Sequence, residues 1–302
     1  MTGSQSPAPS GLPQALGAYV MWGFMPLYLL LVRQVPAFEF VGWRIVWTLP
    51  VCLLIVAFRR QFPDIRRALA DRRALLVLAA SAMLISVNWV VYVWAIQQGE
   101  VYAASLGYYI NPLVVVALAM IFLGERLRRL QAISVVFAIA GVGYSVWQVG
   151  NIPLVTLCLA FSFSTYAVIR KREGLDPFIG LFVETLLLVP VAVAYIAYRE
   201  LEGVGAIMNT GIGTHVLLFL AGIVTAIPLI CYMQGARHLP LKTMGLLSYI
   251  APSLQLLVGV ALYGEAFTTD TMITFGLIWI GLAIYTTDSF HARRKPKPPV
   301  TP

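Results

Sequence analysis

Residues 109–125 read YINPLVVVALAMIFLGE, and residues 249–265 read YIAPSLQLLVGVALYGE. The two stretches are separated by 140 positions. They share Tyr109-Ile110 and Tyr249-Ile250, Pro112 and Pro252, and Gly124-Glu125 and Gly264-Glu265, with no gap between the matches. The same offset relates Phe38, Pro50, Tyr92 and Gly141 to Phe178, Pro190, Tyr232 and Gly281. The chain is therefore built from two copies of one module.

The module spans a membrane. The chain has 302 residues, 60% hydrophobic and 11% charged, against roughly 45–50% and 25% for a soluble domain. Ten apolar runs are long enough to cross a bilayer: roughly 14–32, 38–58, 74–97, 102–123, 130–147, 152–169, 177–198, 214–237, 243–263 and 271–288. The first is too long, and lacks the preceding positive charge, for a cleaved signal peptide. The expected fold is an all-α integral membrane protein of ten transmembrane helices in two inverted five-helix repeats. Its parts are a disordered tail (1–13), a first repeat (14–150), a second repeat (151–288) and a basic C-terminal tail (289–302).

Five is odd, so the second repeat enters the membrane from the opposite face. This relates the halves by a pseudo-two-fold axis in the membrane plane, an arrangement suited to alternating access. The net charge of +8 does not point to nucleic acid. Segments 59–73, 124–130, 170–176, 237–242 and 289–302 hold six, three, three, two and four Lys or Arg, 18 of the 21, all on one face of the ten-span map. By the positive-inside rule both termini are expected in the cytoplasm, with the basic loops meeting lipid headgroups.

Cys52, Cys158 and Cys231 fall inside spans without ligand spacing, and His215, His238 and His291 are far apart. Neither set suggests a metal or cofactor. Proline inside a helix frees the carbonyl four residues earlier. Such a carbonyl is tolerated in a bilayer only against protein or water. Pro112 and Pro252 thus mark spans 4 and 9 as the hinged, cavity-lining pair. Asn88 and Tyr92 share one face of span 3, as Tyr108 and Asn111 do in span 4. Tyr232 adds to span 8, and Tyr249 and Gln255 to span 9. These polar groups suit a small polar or zwitterionic solute; the alternative is hydrogen bonding between helices. Trp94 and Trp147 read as interfacial, and Trp89 as either lipid-facing or cavity-lining.

Arg44 and Glu184 lie inside spans at matched repeat positions. Each is seven residues into its helix, ~10 Å deep. Intramembrane charges point to function. Arg44 can hold only an anion or a carboxylate, whereas Glu184 can carry a proton. Inversion places them on opposite sides of the midplane, which disfavours a direct pair. Spans 5 and 10 carry small residues (Ala138, Gly141, Gly143, Gly276, Gly281, Ala283) that fit close packing at the edge of each half, or a homodimer contact.

The motifs Asn88-Trp89, Trp94-Ala95, Ser105-Leu106-Gly107-Tyr108, Ile110-Asn111-Pro112-Leu113, Leu123-Gly124-Glu125-Arg126, Ala160-Phe161-Ser162-Phe163 and Tyr263-Gly264-Glu265 resemble the RarD branch of the EamA transporters. The resemblance covers about residues 14–290. It implies a ten-helix inverted repeat in the bacterial inner membrane, with small-metabolite export as the commonest activity. It also implies Arg44 and Glu184 at their positions. The chain departs from the pattern at Ala103, where a Glu is expected; Glu100 lies on the same helical side. The expected function is a permease exporting a small metabolite or drug-like solute by alternating access, with proton coupling through Glu184. The competing readings are a membrane enzyme acting on lipid-linked substrates and a structural membrane partner. The scattered acids and separated histidines weigh against the enzyme.

Overall fold

A computed structural model describes residues 11–98, 101–150, 154–263 and 268–294. The tails read as disordered and basic therefore fall mostly outside the described residues. Glu100 and Glu265 lie outside them as well, and nothing is described of the Ala103 side chain. Among the described residues every regular element is a helix, and ten helical stretches are long and apolar enough to cross a membrane.

Span 1 is Leu12–Gly23 followed by Met25–Leu31, span 2 Ala37–Phe58, span 3 Arg72–Gln97, span 4 Val101–Leu123 and span 5 Arg129–Val149. Span 6 is Leu154–Glu173, span 7 Pro177–Leu201, span 8 Ile212–His238, span 9 Leu241–Leu247 followed by Ile250–Tyr263, and span 10 Thr269–Arg294. Short helices Phe62–Ala70 and Ala206–Asn209 occupy the two longest connections.

Local chemistry sets the ends. Asp71 accepts hydrogen bonds from the backbone N–H groups of Arg73 (2.8 Å) and Ala74 (3.2 Å), capping span 3. Pro177 starts span 7, where Asp176 accepts from the Phe178 N–H at 3.0 Å. The repeated Gly-Glu pair has a double role in its first copy. Gly124 ends span 4 at φ 65°, a left-handed conformation that favours glycine. Glu125 then accepts from the N–H groups of Leu241 (2.7 Å) and Lys242 (3.0 Å), satisfying donors at the start of span 9.

The packing follows the repeat. Spans 2 and 7, 4 and 9, and 5 and 10 each pack on their own counterpart. The other large contacts come in exchanged pairs: span 3 on 6 with span 8 on 1, span 4 on 6 with span 9 on 1, and span 2 on 8 with span 7 on 3. Exchanging the halves maps the packing scheme onto itself, which is the signature of a pseudo-two-fold axis.

Counterparts also meet residue by residue. The Tyr249 hydroxyl donates to the carbonyl of its mate Tyr109 at 3.1 Å. Gly141 lies against Thr274 and Ile278, and its mate Gly281 lies against Ser134 and Phe137. Gly141 and Gly281 thus serve close packing between spans 5 and 10. Gly143 and Gly276 face open space, while Val136, Ile139, Trp147 and Ile280 are exposed on the outer surface.

The tightest approach of a described glycine to another span's backbone is between spans 2 and 8. A Cβ on Gly222 would stand 2.1 Å from the Trp47 carbonyl oxygen, a backbone atom that cannot swing aside. Gly222→Ala is expected to force the spans apart, at a cost of about 1–3 kcal/mol. Thermal unfolding of the detergent-purified protein checks this, with Gly17→Ala, which meets nothing within 4 Å, as the matched control. Equal midpoints for the two variants would show that the contact is not close.

Candidate functional site: an axial cavity and a buried charge cluster

Two proline effects in spans 1 and 9 converge. Pro26 deprives the Trp22 carbonyl of its helical donor, and span 1 breaks at Phe24. Gln255 of span 9 supplies a replacement, its Nε2 donating to that carbonyl at 3.2 Å. Span 9 itself breaks at Ser248–Tyr249, and the Ser248 carbonyl freed by Pro252 accepts instead from the Ala251 N–H at 3.2 Å. Span 4, by contrast, runs unbroken through Pro112. The matched prolines therefore act differently: one helix of the expected hinge pair is broken and the other is continuous.

These irregular segments border a cavity of about 80 Å³, several times the ~10–15 Å³ that one water needs. Spans 3 and 4 contribute Asn88, Trp89, Tyr92, Gly107, Tyr108 and Asn111; span 9 contributes Ser248, Ala251 and Gln255. Tyr19, Trp22 and Met25 of span 1, Arg44, Leu159, Phe163 and Leu229 complete the wall. Four pairs of lining residues are repeat mates: Tyr19 and Leu159, Trp89 and Leu229, Tyr108 and Ser248, Asn111 and Ala251. A hollow walled by mates from both halves lies on the axis that relates them, which is where inverted-repeat transporters bind solutes.

Of the residues singled out from sequence, Asn88, Tyr92, Tyr108, Asn111, Gln255 and Arg44 line this cavity. The amides also bond between helices. The Asn88 Nδ2 donates to the Leu159 carbonyl (3.0 Å) and to Ser162 Oγ (2.9 Å), and Asn111 Oδ1 accepts from Ser164 at 2.8 Å. Lining and interhelical bonding are one arrangement. Tyr232, Tyr249, Pro112 and Pro252 do not line the cavity. Tyr232 is 1% exposed and packs behind the wall, its ring centroid 5.4–6.0 Å from those of Phe163, Trp22 and Tyr19. Tyr249 is committed to Tyr109.

Arg44 and Glu184 do not meet. The Arg44 Nε donates to Thr225 Oγ1 of span 8 at 2.8 Å, and its guanidinium lies 4.5 Å from the Trp89 ring centroid. Trp89 thus turns its ring to the cavity. Glu184 lies off the cavity, 1% exposed. Its Oε1 is 3.3 Å from Arg170 Nε and accepts from Ser81 of span 3, and its Oε2 accepts from Tyr166 at 3.5 Å. The Arg44–Thr225 contact joins spans 2 and 8, and Glu184–Ser81 joins the symmetric spans 7 and 3. The repeat has kept the position and inverted the charge.

Sequence reasoning missed Arg170. It was counted among the loop cations, but span 6 runs on to Glu173 and leaves Arg170 4% exposed. Its Nη1 donates to Glu173 Oε2 at 2.7 Å, so one guanidinium serves two carboxylates. A Cβ on Gly180 would fall 1.8 Å from Arg170 Nη2, so the guanidinium occupies the room this glycine leaves. A glycine in span 7, one turn before the buried acid, was the signal available. Glu39 was missed too. It is fully buried, accepts from the N–H of Ala206, and has its Oε2 3.5 Å from Arg199 Nε.

The face bearing the basic loops carries further ties. The Tyr19 hydroxyl donates to the Met244 carbonyl at 2.7 Å, Arg237 pairs with Asp176 at 3.1 Å, and Arg128 pairs with Asp288. A second hollow of about 170 Å³ opens there beside Arg170, Lys171 and Arg237. Its cations are already engaged: Lys171 donates to the carbonyls of Ala236 and Leu239.

Ten spans in an inverted repeat around an axial cavity define a polytopic protein of secondary-transporter build. The family model described as "EamA-like transporter family" matches the chain twice, over residues 9–147 and 150–287. The chain belongs to the EamA-like transporter family, within its RarD branch. It is 39% identical to "Protein RarD" of Salmonella typhi, over 94% of this chain and 97% of the relative. It is 42% identical to "Uncharacterized transporter YojE" of Bacillus subtilis (93% and 94%). It is 32% identical to "Chloramphenicol-sensitive protein RarD" of Pseudomonas aeruginosa (94% and 96%). A solved crystal structure superimposes over 92% of this chain and 98% of its own with a TM-score of 0.71 at 20% identity, which speaks to the fold alone. The chain is thus a multi-pass bacterial inner-membrane transporter of the drug/metabolite type.

Proposed function

We propose that the protein exports a small polar metabolite or drug-like solute by alternating access through the axial cavity. The observation that carries this reading is the set of four mate pairs in the cavity wall. A site on the pseudo-two-fold axis keeps its neighbours when the halves exchange shapes, so one solute position can serve both faces. Asn88, Tyr92, Tyr108, Asn111 and Gln255 line the pathway. The breaks in spans 1 and 9 are the hinges, with Pro252 at the second. Pro112, Tyr232 and Tyr249 hold the wall from behind. Export is the direction the family resemblance implies. Both termini lie in the cytoplasm, because the basic loops share one face. Reporters fused after residues 125 and 265 are expected on opposite sides of the membrane; the same side for both would end the inverted reading.

The second element is proton coupling through Glu184. This carboxyl is buried in a cluster of two carboxyls and one guanidinium, so the cluster has room for a proton. Cys52 faces it from span 2, Ser81 from span 3, and Tyr166, Arg170 and Glu173 from span 6. Arg170 is the counter-charge of this carboxylate, and separating the two as that face opens is the step at which Glu184 takes up its proton.

Sealed liposomes provide the test. A transporter gives saturable solute flux with no chemical change, an enzyme gives product, and a structural partner gives neither. A homodimer through the outer faces of spans 5 and 10 is compatible with their exposed apolar residues and is read by the mass of the purified protein.

A further inference from the structure

Among its described lining residues the axial cavity holds a single charge. Arg44 is the lone Asp, Glu, Lys or Arg among its described lining residues, and it is 6% exposed. It forms no ion pair among the described residues. The titratable groups that act on it are the phenols of Tyr28, Tyr108 and Tyr92. A buried cation without a counter-charge is costly. The described residues do not provide one from within: the acid at the matched position, Glu184, is paired with Arg170 and lies off the cavity.

The guanidinium is also oriented. Thr225 holds Nε at 2.8 Å, and the Trp89 ring lies 4.5 Å from the guanidinium carbon. With Nε tethered and one face against an indole, the Nη donors are what remains for a ligand. That is the geometry in which Arg takes a planar anion through two parallel hydrogen bonds. The neutral amides are less free, since Asn88, Asn111 and Gln255 already bond to Ser162, Ser164 and the Trp22 carbonyl. The apolar remainder of the wall includes Trp22 and Phe163, 5.8 Å apart and edge-on to each other.

We infer, resting on the reading of this cavity as the solute pathway, that its substrate class is organic anions: a carboxylate seated on Arg44 and a planar or apolar body against the aromatic wall. An ammonium would meet no described carboxylate in this wall and would be repelled by Arg44. Zwitterions and amines are therefore disfavoured relative to a simple acid of the same shape.

The test uses the full chain in nanodiscs and four probes with one phenyl body: phenylacetate, phenylacetamide, phenylalanine and phenethylamine, titrated calorimetrically. Phenylacetate is expected to bind at least about tenfold tighter than the other three. Arg44→Gln should bring phenylacetate down to the level of phenylacetamide. Thr225→Val, which keeps the charge but releases its tether, should lower the ratio of the two partway. It also serves as the measurement if Arg44→Gln does not fold. An acid-to-amide ratio unchanged in the variants overturns the inference. So does binding of phenethylamine or phenylalanine as tight as phenylacetate, or no binding by any probe. Liposome flux separates the two levels. Saturable flux of an amine or zwitterion, blocked by filling the cavity, overturns the anion class and leaves the transport reading standing. No saturable flux for any probe counts against both.

Discussion

Replacing Arg170 with methionine is expected to destabilise the protein by about 3–5 kcal/mol and to abolish flux. Arg170 is the one guanidinium between Glu184 and Glu173, 3.3 Å from the first and 2.7 Å from the second. Their side chains are 2% and 7% exposed. Methionine keeps much of the length and apolar contact but leaves two buried carboxylates without a counter-charge. Glu184 is the more deeply buried of the two, 1% exposed, and its remaining donors are the Ser81 and Tyr166 hydroxyls.

Three variants separate the terms. Glu184→Gln leaves Arg170 paired with Glu173, so it should cost clearly less than Arg170→Met. The double variant Arg170→Met/Glu184→Gln should recover part of the loss, because a neutral amide needs no cation. The Arg170→Met defect should shrink at acid pH, since a protonated carboxyl needs none either. Unfolding midpoints from pH 5 to 8 measure all of this. A single variant as stable as wild type would show that the cluster is hydrated rather than buried. Glu184→Gln also decides the proton question: flux that keeps its full dependence on a pH gradient in this variant removes Glu184 from coupling.

Ala251→Trp is expected to reduce flux to background, at least tenfold, while the protein folds. Ala251 lines the cavity, 7% exposed, opposite its mate Asn111. An indole there extends into the hollow rather than into packed helix. The folding cost should stay within the ~1–3 kcal/mol of an overpacked site, far less than the effect on transport. Ala138→Trp, at a 2% exposed position away from the cavity, is the contrast. It should cost stability through the packing of span 5 and leave the pathway of the folded fraction open. Normal saturable flux through Ala251→Trp would mean that solute does not cross the axis here.

The fold was legible because membrane helices announce themselves. Each span is a run of apolar residues about as long as the bilayer is thick, and the bilayer demands closed backbone hydrogen bonding. The ten runs correspond one to one with the ten helical spans, and the 140-residue offset reappears as the symmetry of the packing. Six of the sixteen described cavity-lining residues were legible for a related reason. Asn88, Tyr92, Tyr108, Asn111, Gln255 and Arg44 were marked by polarity inside apolar runs, and polar groups in a bilayer turn inward. That rule finds the interior without telling a cavity wall from a packed contact. Tyr232 and Tyr249 satisfy it equally, yet one is sealed behind Phe163 and the other is bonded to its mate.

Sequence by itself determined the number of spans, their inversion and the matched places of Arg44 and Glu184, because these depend on length, order and offset along the chain. Only the tertiary structure decided which partner each charge has. Arg170 reads as a loop cation until span 6 continues past it and Gly180 of span 7 makes room for its guanidinium. Arg44 reads as an intramembrane cation without a stated neighbour until Thr225 and Trp89 prove to flank it. A charge acquires its role from what lies within a few ångströms of it, and for helices joined far apart in sequence that distance is set by packing.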